Sequence, residues 1–368
     1  MYENELKALK KAGRFRERKL FDEKLTDLAS NDYLGLANDK KQFKKLCTLM
    51  DTYETFSPKA SMLVNGYHPI HRHFEETLSG LNGFESGLVV GSGFLANMSL
   101  VEALVRKHDM LFMDEEYHAS GMMATGLLKD RVVFFRHNDA GDLREKMSSY
   151  PAKRQIIAVE GVYSMSGEVC SREVFDIARE NSALLIVDEA HSSGVLGKNL
   201  LGVFEHYGIE ISSNHIKMGT LGKAYGSYGA YILANAEIVS FLENRAKPII
   251  YSTAPSVLDT ALALINIKTV SKKAARYRVK IDARLRIVEE VLGIKSESLI
   301  IPIPVKNNEE ALRLQKAMMD KGFLAGAIRQ PTVDSPILRV IPRLGVPKKH
   351  LRKALHLISD TSLQSFNN

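Results

Sequence analysis

The sequence predicts an α/β fold built on a mainly parallel sheet, and three observations lead to this prediction. Short, continuous apolar runs bounded by polar or glycine residues recur through the first two thirds of the chain. Such runs are typical of strands that are buried on both faces. Segments of helical length and apolar spacing separate the runs, which favours helices on both sides of the sheet. Polar clusters follow several runs, at the strand ends where an open parallel sheet gathers its ligands.

The predicted strands are 88–90, 110–113, 132–135, 156–159 and 183–187, and the predicted helices among them are 94–107, 139–149 and 171–181. Pro255 suits the first turn of a helix, because its missing N–H needs no partner there, and we expect one long helix from it to about residue 292. Apolar runs at 301–304 and 337–340 flank a helical pattern at 308–321, which predicts a smaller α+β domain. We therefore expect an N-terminal segment (1–39), a large domain (40–265) and a small C-terminal domain (266–368).

The composition is that of an ordinary globular protein, with 45% hydrophobic and 25% charged residues among 368. No apolar run approaches the roughly 18 residues of a membrane helix. The N-terminus is rich in Lys and Arg but also contains Glu3, Glu5 and Glu17 and lacks an apolar core, so we expect no secretory signal. Cys47 and Cys170 match neither a disulfide framework nor a metal cluster. We expect a cytoplasmic protein with no metal and no membrane attachment.

The formal net charge of +7 does not identify a partner. The basic residues are scattered and no nucleic-acid motif is present, so we expect no nucleic-acid binding. An anionic substrate or cofactor fits this charge, and an ordinary solvated basic surface fits it equally well. Both interpretations stay open at this point.

Two residues point to a particular cofactor. Lys223 lies in the glycine-rich run 219–226, and Asp188 follows an apolar strand directly and precedes His191. Pyridoxal phosphate needs an amine that holds its aldehyde as a Schiff base and a carboxylate that keeps its ring nitrogen protonated. A Mg²⁺ site of the nucleotide-hydrolase kind would also use the aspartate, but the phosphate-binding loop that accompanies such a site is absent.

Other polar residues follow the predicted strands, and each has an ordinary structural interpretation too. Gly93 belongs to a Gly-Ser-Gly turn before a helix, which suits an anion but is also common in tight packing. Ala96 stands where a dinucleotide-binding fingerprint has its third glycine, which argues against dinucleotide binding. His118 is able to stack on a flat ring or to be a surface histidine. Ser164 is able to donate to a ring oxygen or to stabilise a turn.

Taken together, the motifs resemble those of one enzyme family. They are Asn31-Asp32-Tyr33-Leu34-Gly35, Gly91-Ser92-Gly93-Phe94, His118-Ala119-Ser120, Glu160-Gly161-Val162-Tyr163-Ser164, Asp188-Glu189-Ala190-His191, Gly219-Thr220-Leu221-Gly222-Lys223 and Arg339. This set resembles the α-oxoamine synthases, which are pyridoxal-phosphate enzymes of the aspartate-aminotransferase fold (fold type I). The resemblance covers nearly the whole chain, and it implies a large domain with a mainly parallel sheet and a small α+β domain.

The resemblance also implies roles toward the cofactor. Lys223 would form the Schiff base and then act as base and acid, and Asp188 would keep the ring nitrogen protonated. His118 would stack on the ring, contact the substrate and assist the later protonation. The contacts with the phenolic oxygen would come from His191 and Ser164. The phosphate would be held by the backbone of Gly93 and Phe94, by Thr220 and, across a homodimer with shared active sites, by Ser252 and Thr253.

The substrate implied by the resemblance is an amino acid together with an acyl thioester. Asn31 and Arg339 match residues that bind the amino-acid carboxylate, and Thr332 matches a substrate contact. An N-terminal arginine is expected at the acyl end; Arg14 is our choice, with Arg16 nearly as good. The best match is to enzymes that condense L-alanine with pimeloyl-CoA or pimeloyl-acyl carrier protein and release CO₂. The alternative is an enzyme that joins glycine to acetyl-CoA or succinyl-CoA.

The chain departs from the family pattern at a few positions. Met62 stands where the family usually has an arginine, which leaves the contacts with the acyl donor open. Ser192 follows His191 where glycine is usual, and we expect this change to be tolerated. The spacing between Thr332 and Arg339 is short for the family.

Overall fold

A computed structural model describes residues 2–365. The strands are β1 (Thr26–Asp27), β2 (Ser86–Val90), β3 (Asp109–Asp114), β4 (Val132–Phe135), β5 (Arg154–Glu160), β6 (Leu184–Asp188), β7 (His215–Thr220), β8 (Ala230–Ala234), β9 (Ile301–Pro304), β10 (Phe323–Leu324), β11 (Gly326–Ile328) and β12 (Ile337–Val340). The helices are α1 (Glu3–Lys11), α2 (Lys40–Met50), α3 (Pro69–Asn82), α4 (Gly93–Leu104), α5 (Ala119–Thr125), α6 (Ala140–Ser149), α7 (Glu173–Glu180), α8 (Val203–His206), α9 (Ala236–Arg245), α10 (Lys247–Ile250), α11 (Val257–Lys272), α12 (Ala274–Leu292), α13 (Asn308–Asp320) and α14 (Lys348–Ser365). In this part of the chain no helix has the length and apolarity that crossing a bilayer requires.

The larger of two compact units comprises Leu34–Ser164 and Glu168–Arg278. Within the described residues it holds a seven-stranded sheet in the order β2-β8-β7-β6-β5-β3-β4. β8 runs antiparallel to β2 and β7, and the other neighbours are parallel. The α/β class and the mainly parallel sheet are therefore confirmed, and each predicted strand of this region is present within a residue or two of its expected bounds.

The register of the parallel strands brings their carboxyl ends into line. Glu160 at the end of β5 lies opposite Asp188 at the end of β6, and Asp188 lies opposite Met218 of β7. The apolar residues of these strands are almost completely buried, which accounts for the continuous apolar runs in the sequence. Carboxyl-bearing side chains thus meet at one edge of a rigid sheet.

Among the described residues, the second unit comprises 2–33, Met165–Gly167 and 279–365. It contains the antiparallel sheet β11-β12-β9 and the parallel pair β1-β10. The predicted boundaries lie at 39/40 and 265/266, whereas the N-terminal residues here belong to the same unit as the C-terminal ones. Two interactions explain this grouping: β1 pairs with β10, and Arg343 donates to both Asp27 and Asp32.

The prediction of one long helix from Pro255 to about residue 292 is wrong in two respects. The helix begins at Val257, because Ser256 caps it by accepting from the N–H of Asp259, and the carbonyl of Pro255 instead lies 2.9 Å from His71 Nε2. Helical geometry is then interrupted at Lys273, where φ is −118° and ψ is 16°, so that α11 and α12 are separate helices.

Strands β7 and β8 are not among the predicted strands, and no continuous apolar run in the sequence indicates β7. Its central residue, Lys217, is 1% exposed, and its Nζ donates to Asn82 Oδ1 at 2.9 Å and lies 3.7 Å from Glu189 Oε1. A lysine in a strand sequence is usually taken as a solvent-facing residue, since lysine is rarely buried without a partner. Here the partners come from distant parts of the chain.

Candidate active site

Lys223 lies in the turn that follows β7, and its Nζ is 2.8 Å from His191 Nε2. The turn returns the chain to β8 through the hydrogen bond from the Leu221 N–H to the Gly229 carbonyl. Gly226 in this turn has φ +56°, and a Cβ there would lie 2.7 Å from Leu36 Cβ. Glycine is therefore required at this position by both backbone conformation and space. The result is an amine fixed beside an imidazole.

Asp188 is 3% exposed, and its two carboxylate oxygens have different partners. Oδ1 accepts from the N–H of Ala190 at 2.9 Å, and Oδ2 accepts from the side-chain amide of Asn97 at 2.9 Å. A buried carboxylate is stabilised by such donors, but its charge still favours a cationic neighbour. This carboxylate is thus oriented from both sides.

Glu160 is a second buried carboxyl group beside Asp188. Its Oε2 accepts from the N–H of Ser164 at 3.1 Å, whereas Oε1 has no hydrogen-bond partner among residues 2–365. Burial, reinforced by the charge of Asp188, raises the pKa of Glu160 well above its usual value. The neighbouring strands therefore present two buried carboxyl groups side by side, of which Glu160 is the harder to ionise.

His118 caps the N-terminus of α5 and contacts Ser120. Its Nδ1 lies 2.7 Å from the Ser120 hydroxyl and 3.2 Å from the Ser120 backbone nitrogen. Burial lowers the pKa of His118; the charge of Asp188 opposes this shift and that of Lys223 adds to it. The ring is accordingly neutral at physiological pH.

An anion-binding geometry is present where α4 begins. Ser92 caps this helix by accepting from the N–H of Leu95 at 3.2 Å, and the helix then starts at Gly93, followed by Phe94, which is 45% exposed. A Cβ on Gly93 would lie 4.0 Å from Thr220 Cβ, so the structure brings this helix terminus close to the end of β7. Free N–H groups and the helix dipole favour a negative charge at such a terminus.

The predicted substrate contacts of the smaller unit form two pairs. Arg339, 9% exposed, directs Nη2 toward Asn31 Oδ1 at 3.4 Å. Arg16 Nη2 donates to the Thr332 hydroxyl at 2.6 Å, and both residues line a cleft of about 470 Å³ together with Phe15, Phe21 and Ile328. Arg14 is exposed and does not line this cleft.

Ser252 and Thr253 lie in the segment between α10 and α11. Ser252 is partly buried and Thr253 is exposed. Within residues 2–365 no hydrogen bond links either hydroxyl to the turn of Lys223. Their contact with the phosphate in a partner's site stays a prediction.

The structure shows the contacts of the two residues, Ser192 and Met62, at which the chain departs from the family pattern. Ser192 is fully buried and donates to the carboxylate of Glu189, so the hydroxyl is satisfied. Met62 is partly buried against the apolar core of the larger unit. A thioether in that place is a packing residue, because sulfur offers little to an anion.

Three residues of the site were not assigned from the sequence. Ser120 and Glu160 belong to the motifs but carry no predicted role, and Asn97 lies three residues after the Gly91-Ser92-Gly93-Phe94 motif. The signal that identifies them is polarity at fully buried positions: Asn97 is 1% exposed, Ser120 0% and Glu160 2%. Burial at these positions is decided by helix and strand packing, which a sequence motif does not reveal.

A network of ionisable groups supports the loops that carry His118 and Ser164. His137 Nδ1 lies 3.0 Å from Asp114 Oδ1 and its Nε2 lies 3.0 Å from Glu168 Oε2. Asp114 also accepts from the Tyr163 hydroxyl at 2.6 Å, which ties the end of β3 to the loop after β5. Although burial opposes it, the hydrogen bond and charge of Asp114 raise the pKa of His137 to about 9.

Comparisons with known proteins agree with this geometry. A sequence model of the family described as aminotransferase class I and II matches residues 23–358. An 8-amino-7-oxononanoate synthase of Helicobacter pylori is 44% identical over 342 residues, which is 92% of each chain. A solved 8-amino-7-oxononanoate synthase of Francisella tularensis is 26% identical with a TM-score of 0.79, covering 94% of this chain and 100% of that one. A Sphingomonas wittichii serine palmitoyltransferase, 23% identical with a TM-score of 0.85 over 91% of this chain and 86% of that one, shares the fold.

Fold and site together define a pyridoxal-phosphate-dependent enzyme of fold type I. The chain belongs to the class I and II aminotransferase family and, within it, to the family of the 8-amino-7-oxononanoate synthases, which are acyltransferases. The predicted fold, cofactor and enzyme class are therefore confirmed.

The residues present fit pyridoxal phosphate. An amine, a buried carboxylate and a neutral imidazole belong to one unit, and a helix N-terminus beside Thr220 suits a phosphate. Lys223, Asp188 and His118 would hold the cofactor ring, and Gly93 with Thr220 would hold its phosphate. The unpaired Oε1 of Glu160 leaves a buried polar atom that a bound polar group is able to satisfy.

We predict that His137→Gln destabilises the protein most below pH 6.5. The folded-state pKa of about 9 exceeds the ordinary value of 6.5, so the imidazolium stabilises the fold fully below pH 6.5 and loses this effect as the pH rises through 9. The deficit in unfolding free energy, on the order of 2 kcal/mol at pH 6.5, should shrink toward pH 10. Urea denaturation at each pH measures it.

His215→Gln is the control. Burial lowers the pKa of His215 to about 4, so its ring is neutral in both folded and unfolded chains at alkaline pH. The deficit of His215→Gln should stay constant from pH 7.5 to pH 10. A deficit of His137→Gln that is equally constant over this range would contradict the assigned charge.

Proposed function

We propose that the protein catalyses the decarboxylative condensation of L-alanine with a pimeloyl thioester. The products are 8-amino-7-oxononanoate, CO₂ and the free carrier thiol, in biotin biosynthesis. The observation that carries this proposal is the arrangement of Lys223, His191 and Asp188 in a chain that is 44% identical to an 8-amino-7-oxononanoate synthase along 92% of both lengths. An amine and an oriented carboxylate are the two groups that such chemistry requires of the protein.

Pyridoxal phosphate, when bound, supplies an electron sink for the negative charge that develops at the α-carbon of alanine. Lys223 removes the α-proton and later returns a proton to the same carbon. A lysine amine suits both steps, because it is held near the reacting carbon by its own turn. His191, 2.8 Å from Lys223 Nζ, fixes the position of the amine.

The carbon–carbon bond forms between the α-carbon of alanine and the thioester carbonyl. The thiolate leaves and takes up a proton, the carboxylate of alanine departs as CO₂, and one proton returns to the α-carbon. We assign the alanine carboxylate to Arg339 and Asn31, whose contact supports a shared ligand, because a guanidinium binds a carboxylate with two parallel hydrogen bonds. The neutral ring of His118 is suited to assist Lys223 by delivering the proton that returns to this carbon.

The acyl chain would occupy the cleft lined by Phe15, Phe21 and Ile328. Besides apolar side chains its lining has three cations and one carboxylate, and this net positive charge suits a hydrocarbon chain that ends in a carboxylate; the charged residues are Arg16, Lys19, Arg329 and Glu17. The hydrogen bond between Arg16 and Thr332 supports Arg16, rather than Arg14, as the residue at the acyl end. CoA and acyl carrier protein are both anionic and both suit the basic surface.

We propose a homodimer in which Ser252 and Thr253 reach the phosphate of the partner's site. The exposure of Thr253 leaves it accessible to a second chain, which supports a role across an interface. A cytoplasmic location is proposed from the free thiols of Cys47 and Cys170, since a reducing compartment keeps cysteines unpaired.

We predict that the enzyme prefers alanine over glycine and serine, and a pimeloyl thioester over acetyl and succinyl thioesters. Each of the nine pairs would be supplied at equal concentration, with CoA and acyl carrier protein as carriers, and product measured by mass spectrometry. A preference for glycine with acetyl-CoA or succinyl-CoA would overturn the proposed substrates while leaving the family unchanged.

We predict that Lys223→Ala lowers kcat by at least about 10³-fold, because it removes the group that moves the α-proton. The purified variant should also lose the yellow absorbance of the covalently held cofactor. Lys198→Ala is the matched control: Lys198 is an exposed lysine of the same unit, and its kcat should stay within about twofold of wild type, as expected of a surface change. Turnover by Lys223→Ala at the wild-type rate would remove the central assignment.

We predict that Arg16→Met raises KM for the pimeloyl thioester by about tenfold, the effect of losing one hydrogen bond to a charged group. Arg14→Met is the matched control, and its KM should change by less than about twofold, as expected of a surface change. Initial rates at saturating alanine measure both. The reverse ranking would return the acyl-end role to Arg14.

A further inference from the structure

A continuous path of hydrogen bonds joins Asp188 to His118 inside the larger unit. Asp188 Oδ2 accepts from Asn97 Nδ2 at 2.9 Å, the same nitrogen lies 2.9 Å from Ser120 Oγ, and Ser120 Oγ lies 2.7 Å from His118 Nδ1. Asn97 and Ser120 are at most 1% exposed, so water does not compete for these bonds. The direction of each bond follows from the chemistry of the groups.

The orientation of the Asn97 amide is set at both ends. A carboxylate only accepts hydrogen bonds, so the amide nitrogen, and not the oxygen, must face Asp188. Its oxygen then accepts from the Tyr117 hydroxyl at 2.8 Å. The two hydrogens of the amide are used by Asp188 and by Ser120.

Because Ser120 Oγ accepts from Asn97, its own hydrogen points to the remaining neighbour, His118 Nδ1. The backbone N–H of Ser120 is directed at the same nitrogen from 3.2 Å. Two donors thus converge on Nδ1, and a nitrogen that accepts both carries no hydrogen of its own. In the neutral ring the hydrogen must then be on Nε2.

We propose that Asn97 and Ser120 are positioning residues that hold His118 as the neutral Nε2–H tautomer. The proton that His118 delivers accordingly comes from Nε2, and the ionised state of Asp188 selects this tautomer through two intervening side chains. The low pKa of His118, which burial and Lys223 favour against the opposing charge of Asp188, agrees with a neutral ring. The role as proton donor depends on the proposed function, whereas the tautomer does not.

The experiment is ¹⁵N NMR of the cofactor-bound enzyme labelled in histidine, without substrate. The signals of His118 are those missing from His118→Gln. An unprotonated ring nitrogen resonates far from a protonated one, so wild type should show unprotonated Nδ1 and protonated Nε2 at pH 7.5. A dominant Nδ1–H form, or a doubly protonated ring, would overturn the proposal, and this test requires no engineered change in the relay.

Ser120→Ala tests the cause. Loss of the hydroxyl donor should lower the ratio of Nε2–H to Nδ1–H by about fivefold, the effect of one hydrogen bond, and Ser120→Thr should restore it. A Ser120→Ala protein that loses thermal stability but keeps the wild-type ratio would show a purely structural role and would overturn the proposal. Because no substrate is present, failure of the alanine and pimeloyl assignment leaves this result unaffected.

Discussion

The burial of Asp188 is the constraint on which the rest of the site depends. A carboxylate with 3% of its surface exposed is costly unless donors and a cation compensate for the water it has lost. The fold supplies the N–H of Ala190, two residues along the chain, and an amide from α4, and burial raises the pKa of the neighbouring Glu160 well above its usual value. A cationic ligand would complete the compensation for the water that Asp188 has lost, and a protonated pyridine nitrogen is such a ligand.

The parallel sheet makes this arrangement rigid. Because neighbouring strands are in register, Glu160 and Asp188 are held side by side by main-chain hydrogen bonds rather than by flexible loops. The loops that add His118 and Ser164 are in turn tied together by Asp114, His137 and Tyr163. A preorganised site of this kind has no ordering cost at the moment of reaction.

The departures from the family pattern show which positions are constrained by chemistry and which by packing. At position 192, where the family usually has glycine, the serine hydroxyl donates a hydrogen bond to the buried carboxylate of Glu189. At position 62, where the family usually has arginine, Met62 packs against the apolar core of its unit. In the proposed function, the cation at the acyl end is Arg16, which contacts Thr332.

The sequence by itself determined the α/β class, the positions of β2 to β6 along the chain and the pyridoxal-phosphate cofactor, because apolar periodicity and short motifs are local properties. It did not reveal β7, with its buried Lys217, or the interruption at Lys273, since both depend on partners or geometry outside the local pattern. Only the tertiary structure placed Asn97 and Ser120 between Asp188 and His118. A relay of hydrogen bonds is a property of distances between remote residues, and those distances exist only in the folded chain.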